Sequence, residues 1–226
     1  MKGLSKMELS FNFLDVTGYR DQPVPNTFIT HPKQANNLGV ILPGYRYSAD
    51  MPPMHYTRRI LLEQGADTLS VDYVYYRTNF MKQPQNEQDR WLSTDVMAAC
   101  SKVLSQHSYE KITLVGKSLG TLAMGHLLAD RRFQQADCIW LTPLLTVDWL
   151  GSRIQQIYPR SLFIIGTADQ FYQPDILKQL EKVTNGRSLI LEDVNHALEI
   201  DGDIQRSLEA LSKITQTIQE FVKEHI

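Results

Sequence analysis

The feature that most limits how this chain can fold is a serine between two glycines, Gly116-Lys117-Ser118-Leu119-Gly120. The run before it, Lys111-Ile112-Thr113-Leu114-Val115, is short and β-branched and predicts a buried strand. The run after it, Leu119 to Ala129, has no proline and carries apolar residues at helical spacing. A strand that becomes a helix across one residue needs neighbours without a β-carbon, so that the two can pass closely. The serine then has two readings. It caps an ordinary helix, or it is held up from the C-terminal edge of a sheet, where the helix N-terminus favours developing negative charge.

Strand-like and helix-like segments alternate along the rest of the chain. Leu9 to Asp15 and Thr27 to Thr30 read as an antiparallel pair joined through Gly18 to Pro25. Leu38 to Leu42 is a buried strand ending at Pro43-Gly44, and Thr68 to Val74 is the next. Asp137 to Leu141, Ser161 to Ile165 and Ser188 to Leu191 follow the serine segment. Helices are expected at Tyr56 to Gln64, Trp91 to Ser105, Val147 to Ile157, Asp175 to Val183 and Ile204 to Val222. The last has the stripe Ile204, Leu208, Leu211, Ile214, Ile218 and Phe221. Strands that are nearly all apolar, each followed by a helix, imply an α/β fold with a mostly parallel sheet covered on both faces. Right-handed crossovers then gather the C-terminal strand ends along one edge, where such sheets bind ligands.

With no repeat or linker-like tract, the 226 residues are expected to form one domain, 1–226. A formal net charge of −2 provides no basic field for nucleic acid or an anionic membrane. No apolar run is long enough to span a bilayer. Met1 to Phe13 lacks the continuous apolar stretch of a secretory leader, and Cys100 and Cys138 read as buried thiols rather than a bridge. The expected location is a reduced cytoplasm.

The sheet edge decides between the two readings of Ser118. Asp169 lies three residues beyond Gly166, just after one predicted strand, and His196 lies in Glu192-Asp193-Val194-Asn195-His196, just after another. A serine hydroxyl becomes a nucleophile when a base takes its proton, and histidine suits that task near neutrality. A carboxylate on the other ring nitrogen fixes the tautomer and stabilises the imidazolium. The order Ser118, Asp169, His196 is that of a nucleophile elbow with its acid and base. Of the six histidines, His31, His55, His107 and His126 precede Asp169, and His225 is penultimate. Asp148 and Asp193 are the competing acids. An oxyanion hole needs two backbone N–H groups. Leu119, after the serine, supplies one, and Tyr45, in the Pro43-Gly44-Tyr45 loop, is placed to supply the other; the same loop also reads as a plain Pro-Gly turn.

Those pieces, with Gly166-Thr167-Ala168-Asp169 and Asn195-His196-Ala197, resemble the α/β-hydrolase superfamily over nearly the whole chain. The likeness is to its small single-domain members of the serine-esterase or dienelactone-hydrolase type. The resemblance implies a three-layer α/β/α sandwich, an eight-stranded, mostly parallel sheet, a Ser-Asp-His triad, and no metal or organic cofactor. Between Leu141 and Ser161, where many relatives insert a cap, there is room for one short helix, which implies an open site.

Two positions depart from the pattern. The oxyanion loop reads Pro43-Gly44-Tyr45 where many relatives have His-Gly or a glycine-rich run. Lys117 stands where histidine, tyrosine or a small residue is usual. Arg46, Arg77 and Lys117 either bind a carboxylate on a small ester or lactone, or are solvated side chains on the rim. Tyr45, Tyr47, Tyr75, Tyr76 and Trp149 either line a pocket or pack the core. The expected activity is hydrolysis of small carboxylic esters, thioesters or lactones through an acyl-enzyme on Ser118. Acyl transfer on the same residues and a non-catalytic binding module are the alternatives. The pattern leaves oligomeric state open.

Overall fold

The computed structural model of the chain describes residues 8–224. His225 and the first seven residues of the Met1 to Phe13 stretch lie outside them. The strands are β1 (Ser10–Asn12), β2 (Asn26–Thr30), β3 (Asn37–Leu42), β4 (Asp67–Val71), β5 (Lys111–Lys117), β6 (Asp137–Leu141), β7 (Ser161–Gly166) and β8 (Arg187–Leu191). The helices are α1 (Pro52–Glu63), α2 (Gln85–Gln106), α3 (Leu119–Leu127), α4 (Asp148–Ile157), α5 (Pro174–Thr184) and α6 (Ile204–Lys223). The strands form one eight-stranded sheet in the order β1-β2-β4-β3-β5-β6-β7-β8. Only β2 runs against its neighbours; every pairing from β4 to β8 is parallel.

Alternation along the strands divides the core into two layers. Val40, Leu114, Trp140 and Phe163 face α2 to α5, with Leu92, Val96, Met124, Leu150 and Leu177 among the buried partners. Ile41, Val115, Ile139 and Ile164 face α1 and α6, where Met54, Leu61, Ile214, Ile218 and Phe221 cover them. The result is the expected three-layer α/β/α sandwich. The stretch between β6 and β7 holds α4 alone, which packs with α3 and α5.

Several boundaries shift for identifiable reasons. Helix α1 begins at Pro52 rather than Tyr56 because consecutive prolines occupy its first two positions, where a missing N–H costs nothing. Strand β4 stops at Val71 rather than Val74. Beyond it Tyr73, Tyr75 and Phe80 turn inward and stack, with ring centroids 4.8 and 4.2 Å apart. The predicted stripe of α6 holds only over its later turns: Ile204 is 80% and Leu208 55% exposed, whereas Ile214 and Ile218 are fully buried. Cys100 and Cys138 are free and buried. Among the described residues no helix is long and apolar enough to cross a membrane.

A buried carboxylate ties the N-terminal segment to this stack. Asp95, on α2, accepts the Tyr19 N–H at 2.7 Å through Oδ1 and the Tyr75 hydroxyl at 2.8 Å through Oδ2. Gly18 leaves room for it, since a β-carbon there would sit 2.1 Å from Oδ1 and displace the carboxylate. Burial raises Asp95 to about 6, the hydrogen bond from Tyr75 opposing part of the rise. A carboxyl raised on folding contributes stability when protonated, and that contribution is lost as pH climbs through the folded value. Asp95→Asn, which keeps an acceptor for Tyr19, is therefore expected to exceed the wild type in stability near neutral pH by about 2–3 kcal/mol, converging with it near pH 4. Urea unfolding at the two pH values measures this; a constant difference would show that Asp95 is not the titrating group.

Candidate active site

The turn between β5 and α3 is built as the sequence pattern demands. Ser118 has φ 51° and ψ −115°, a conformation that side-chain-bearing residues avoid. Its N–H donates to the Leu141 carbonyl at 3.0 Å, and its carbonyl accepts the Thr121 N–H at 2.8 Å and the Thr121 hydroxyl at 2.6 Å. The flanking glycines are obligatory. A β-carbon on Gly116 would lie 2.5 Å from the Gly120 carbonyl oxygen, and one on Gly120 only 1.8 Å from that of Leu42. The serine side chain thus stands at the ends of β3, β5 and β6 together.

The loops after β7 and β8 bring the other two residues to it. His196 Nε2 is 2.9 Å from Ser118 Oγ, and His196 Nδ1 is 2.8 Å from Asp169 Oδ2. The Asp169 side chain is fully buried, and its Oδ1 accepts the Phe171 N–H at 2.9 Å. The imidazole remains 30% exposed and packs against the Phe171 ring at 5.0 Å. The two loops touch at Gly166, where a β-carbon would meet the Val194 carbonyl oxygen at 1.9 Å. Asn195 clamps the histidine turn by accepting the Ala197 and Glu199 N–H groups at 2.8 and 3.2 Å. Asp148 and Asp193, the other acids weighed from the sequence, do not contact His196; Asp148 opens α4 and Asp193 pairs with Arg206.

The loop after β3 adjoins the serine. A β-carbon on Gly44 would be 3.3 Å from both the Lys117 carbonyl oxygen and Ser118 Cβ. The Tyr47 N–H donates to the Gly44 carbonyl at 3.1 Å, closing a turn in which Arg46 is left-handed, φ 58°. Among the described residues, no protein acceptor takes the Tyr45 or the Leu119 N–H. Both are free to donate to a bound group at this edge. The Tyr73 hydroxyl donates to the Pro43 carbonyl and holds the loop from below.

A cavity of about 740 Å³ opens beside Gly44. Its wall includes Phe11, Arg46, Tyr47, Met51, Arg58, Tyr73 and Tyr76. Phe11, Met51 and Tyr76 are substantially exposed on its rim. Of the three predicted cations, Arg46 lines this cavity, but Arg77 is exposed outside it, over the Tyr76 ring. Lys117 is not a rim residue at all: it is 2% exposed, and its ammonium makes two hydrogen bonds inside the protein. Strand alternation explains this, since it places Lys117 on the Val115 face, under α1 and α6. Tyr75 and Trp149 are also not pocket residues, being packed in the aromatic stack and against His126. Phe11, Met51, Thr142 and Phe171 carried no signal in the sequence, because neither a motif nor a period marks them. Among the described residues no group of three or more His, Cys, Asp and Glu is placed to hold a metal ion.

A parallel sheet with one reversed strand, and a strained serine at its C-terminal edge backed by a histidine and a buried carboxylate, defines an α/β hydrolase. Residues 47–223 match the family model of the alpha/beta hydrolase domain, and the chain belongs to that family. Among solved structures it is similar to the Pyrococcus furiosus esterase Pf2001, with 14% identity and a TM-score of 0.71 over 96% of this chain and 93% of that one. It is also similar to the dienelactone hydrolase of Anabaena variabilis, with 15% identity and a TM-score of 0.68 over 96% and 99% of the two chains. Est1E of Butyrivibrio proteoclasticus gives 14% and 0.66 over 95% and 98%. At these identities the likeness establishes the fold. No curated protein matches the chain.

The close approach at the elbow makes a sharp contrast between two glycines. Gly120→Ala is expected to lose more than about 3 kcal/mol of stability, because its β-carbon meets backbone that cannot yield. Gly151→Ala, in α4 with open space around it, is expected to gain about 0.5–1 kcal/mol from helix propensity. Thermal unfolding of the two variants checks both signs.

Proposed function

We propose that the protein is a serine hydrolase that cleaves small carboxylic esters through an acyl-enzyme on Ser118. The observation that carries this reading is the continuous chain Asp169 Oδ2, His196 Nδ1, His196 Nε2, Ser118 Oγ, with contacts of 2.8 and 2.9 Å. His196 takes the hydroxyl proton as Ser118 Oγ bonds to the ester carbonyl carbon. Asp169 holds the Nδ1–H tautomer and stabilises the imidazolium. The carbonyl oxygen, now an oxyanion, accepts the Tyr45 and Leu119 N–H groups at the N-terminus of α3. His196 then protonates the departing alcohol, and a water molecule activated by the same imidazole releases the acid and restores Ser118. The cavity beside Gly44, with Phe11, Met51 and Tyr76 on its rim, suits an apolar portion of the substrate.

Treatment with a fluorophosphonate is expected to modify Ser118, located by mass spectrometry, and Ser118→Ala or His196→Ala to abolish it. On p-nitrophenyl acetate both substitutions are expected to lower kcat by about 10⁴-fold or more. A folded protein that neither labels nor hydrolyses overturns the reading in favour of a binding module.

The cavity separates the two arginines. If Arg46 holds a substrate carboxylate, Arg46→Ala is expected to cost about 10-fold in kcat/KM on an acidic ester and little on its neutral counterpart. Arg77→Ala is expected to leave both unchanged. Equal losses on the two esters would show that Arg46 shapes the loop rather than the substrate preference.

A further inference from the structure

Lys117 is a deeply buried ammonium at the sheet edge, 2% exposed, and its contacts reach three segments that surround Ser118. Its Nζ donates to the His196 carbonyl at 2.7 Å and to the Thr142 hydroxyl at 3.2 Å, and stands 4.5 Å from the centroid of the Tyr47 ring. Those partners belong to the turn that carries the histidine, to the end of β6, and to the last residue of the Gly44–Tyr47 turn. Lys117 is itself bonded to Ser118. Thr142 is left-handed, φ 44°, which a β-branched residue adopts only when its surroundings enforce it. The histidine turn is strained as well, with Leu198 at φ 68°.

We propose that Lys117 is a positioning residue whose buried positive charge fixes the His196 main chain and the Gly44–Tyr47 turn relative to Ser118. The inference rests on the serine-hydrolase reading above. It assigns the one departure at the elbow a role in the geometry of proton transfer. A buried ammonium costs stability unless it is fully satisfied, and here two oxygen acceptors and an aromatic face surround it. An alkyl side chain would fill the same space without that cost, so the charge itself has a use.

The charge is also titratable within the working range. Burial lowers Lys117 to about 8, while the Asp169 and Glu199 carboxylates oppose the fall. The other titratable groups facing it are His196, through its carbonyl, and the Tyr47 phenol. Tyr47 is pushed up by burial and by Glu199, so it stays neutral. As pH rises through about 8, Lys117 loses its charge and the histidine turn loses its charge-assisted hydrogen bond. Activity then falls on the alkaline side.

The test measures the rate of Ser118 phosphonylation by a fluorophosphonate from pH 6 to pH 10, with kcat and KM on p-nitrophenyl acetate beside it. The wild type is expected to lose rate above about pH 8 in kcat rather than KM. Lys117→Met is expected to be about 10- to 100-fold slower near pH 7, the scale of a small misplacement of a catalytic group, and to converge with the wild type at high pH. Its melting temperature is expected not to fall, since a buried charge has been removed. Thr142→Val, which withdraws one acceptor, is expected to move the alkaline fall to lower pH, and it decides the matter if Lys117→Met does not fold. A wild-type rate that is flat above pH 8 overturns the proposal, as does an equal loss in Lys117→Met at every pH with a lower melting temperature. In those cases Ser118 still labels, so the hydrolase reading survives. A wild type that never labels removes both.

Discussion

The site depends on how closely the first turn of α3 presses against the end of β3. Only a hydrogen atom separates Gly120 from the Leu42 carbonyl, and that approach drives Ser118 into its strained turn. Once the elbow is fixed, the loop after β3 has to pass directly beside the serine, which brings the Tyr45 N–H to the same edge as that of Leu119. The same economy of space recurs at Gly166, where the aspartate and histidine loops cross. The arrangement is one of backbones packed to contact at glycines, with the Ser118, Asp169 and His196 side chains projecting beside those crossings.

Much of this was legible in the sequence because local rules and global fold agree. Apolar strands such as Leu162 to Ile165 are buried on both faces, so composition alone marks them. Gly116, Gly120 and Gly166 mark close crossings, and Ser118, Asp169 and His196 follow strands whose ends a parallel sheet gathers at one edge. What the sequence concealed was the direction of individual side chains. Lys117 looks like a surface charge until its place in the strand alternation is followed. Ile204 and Leu208 continue a helical stripe past the edge of the surface it covers. Tyr75 and Trp149 are aromatic residues near the site in sequence that pack elsewhere. Helix starts were misplaced where proline, rather than hydrophobic period, sets the boundary, as at Pro52.

Charge burial is distributed unevenly, and that has a physical logic. Asp95 and Asp169 are both sealed from solvent, yet their neighbourhoods differ. Asp95 is met by a tyrosine hydroxyl and a peptide N–H, neutral donors that leave it raised. Asp169 faces an imidazole on one side and a peptide N–H on the other, with the Lys117 charge acting on the same region. The first carboxylate organises packing. The second belongs to an edge where opposite charges are gathered in a poorly screened space, and there an interaction between them reaches further than it would in water.

The cavity has one property that its shape alone does not show. All the residues that line it fall between Phe11 and Tyr76, whereas Ser118, Asp169 and His196 lie in the stretch that begins with β5. The wall and these three side chains are thus written in separate lengths of the gene. They meet only because β3 and β5 are neighbours in the sheet. A lineage carrying this fold can vary rim side chains such as Phe11, Met51 and Tyr76 while β3 and the Gly44–Tyr47 turn, which press on the elbow, stay as they are. Exchanging those rim side chains one by one is the corresponding route for a protein engineer.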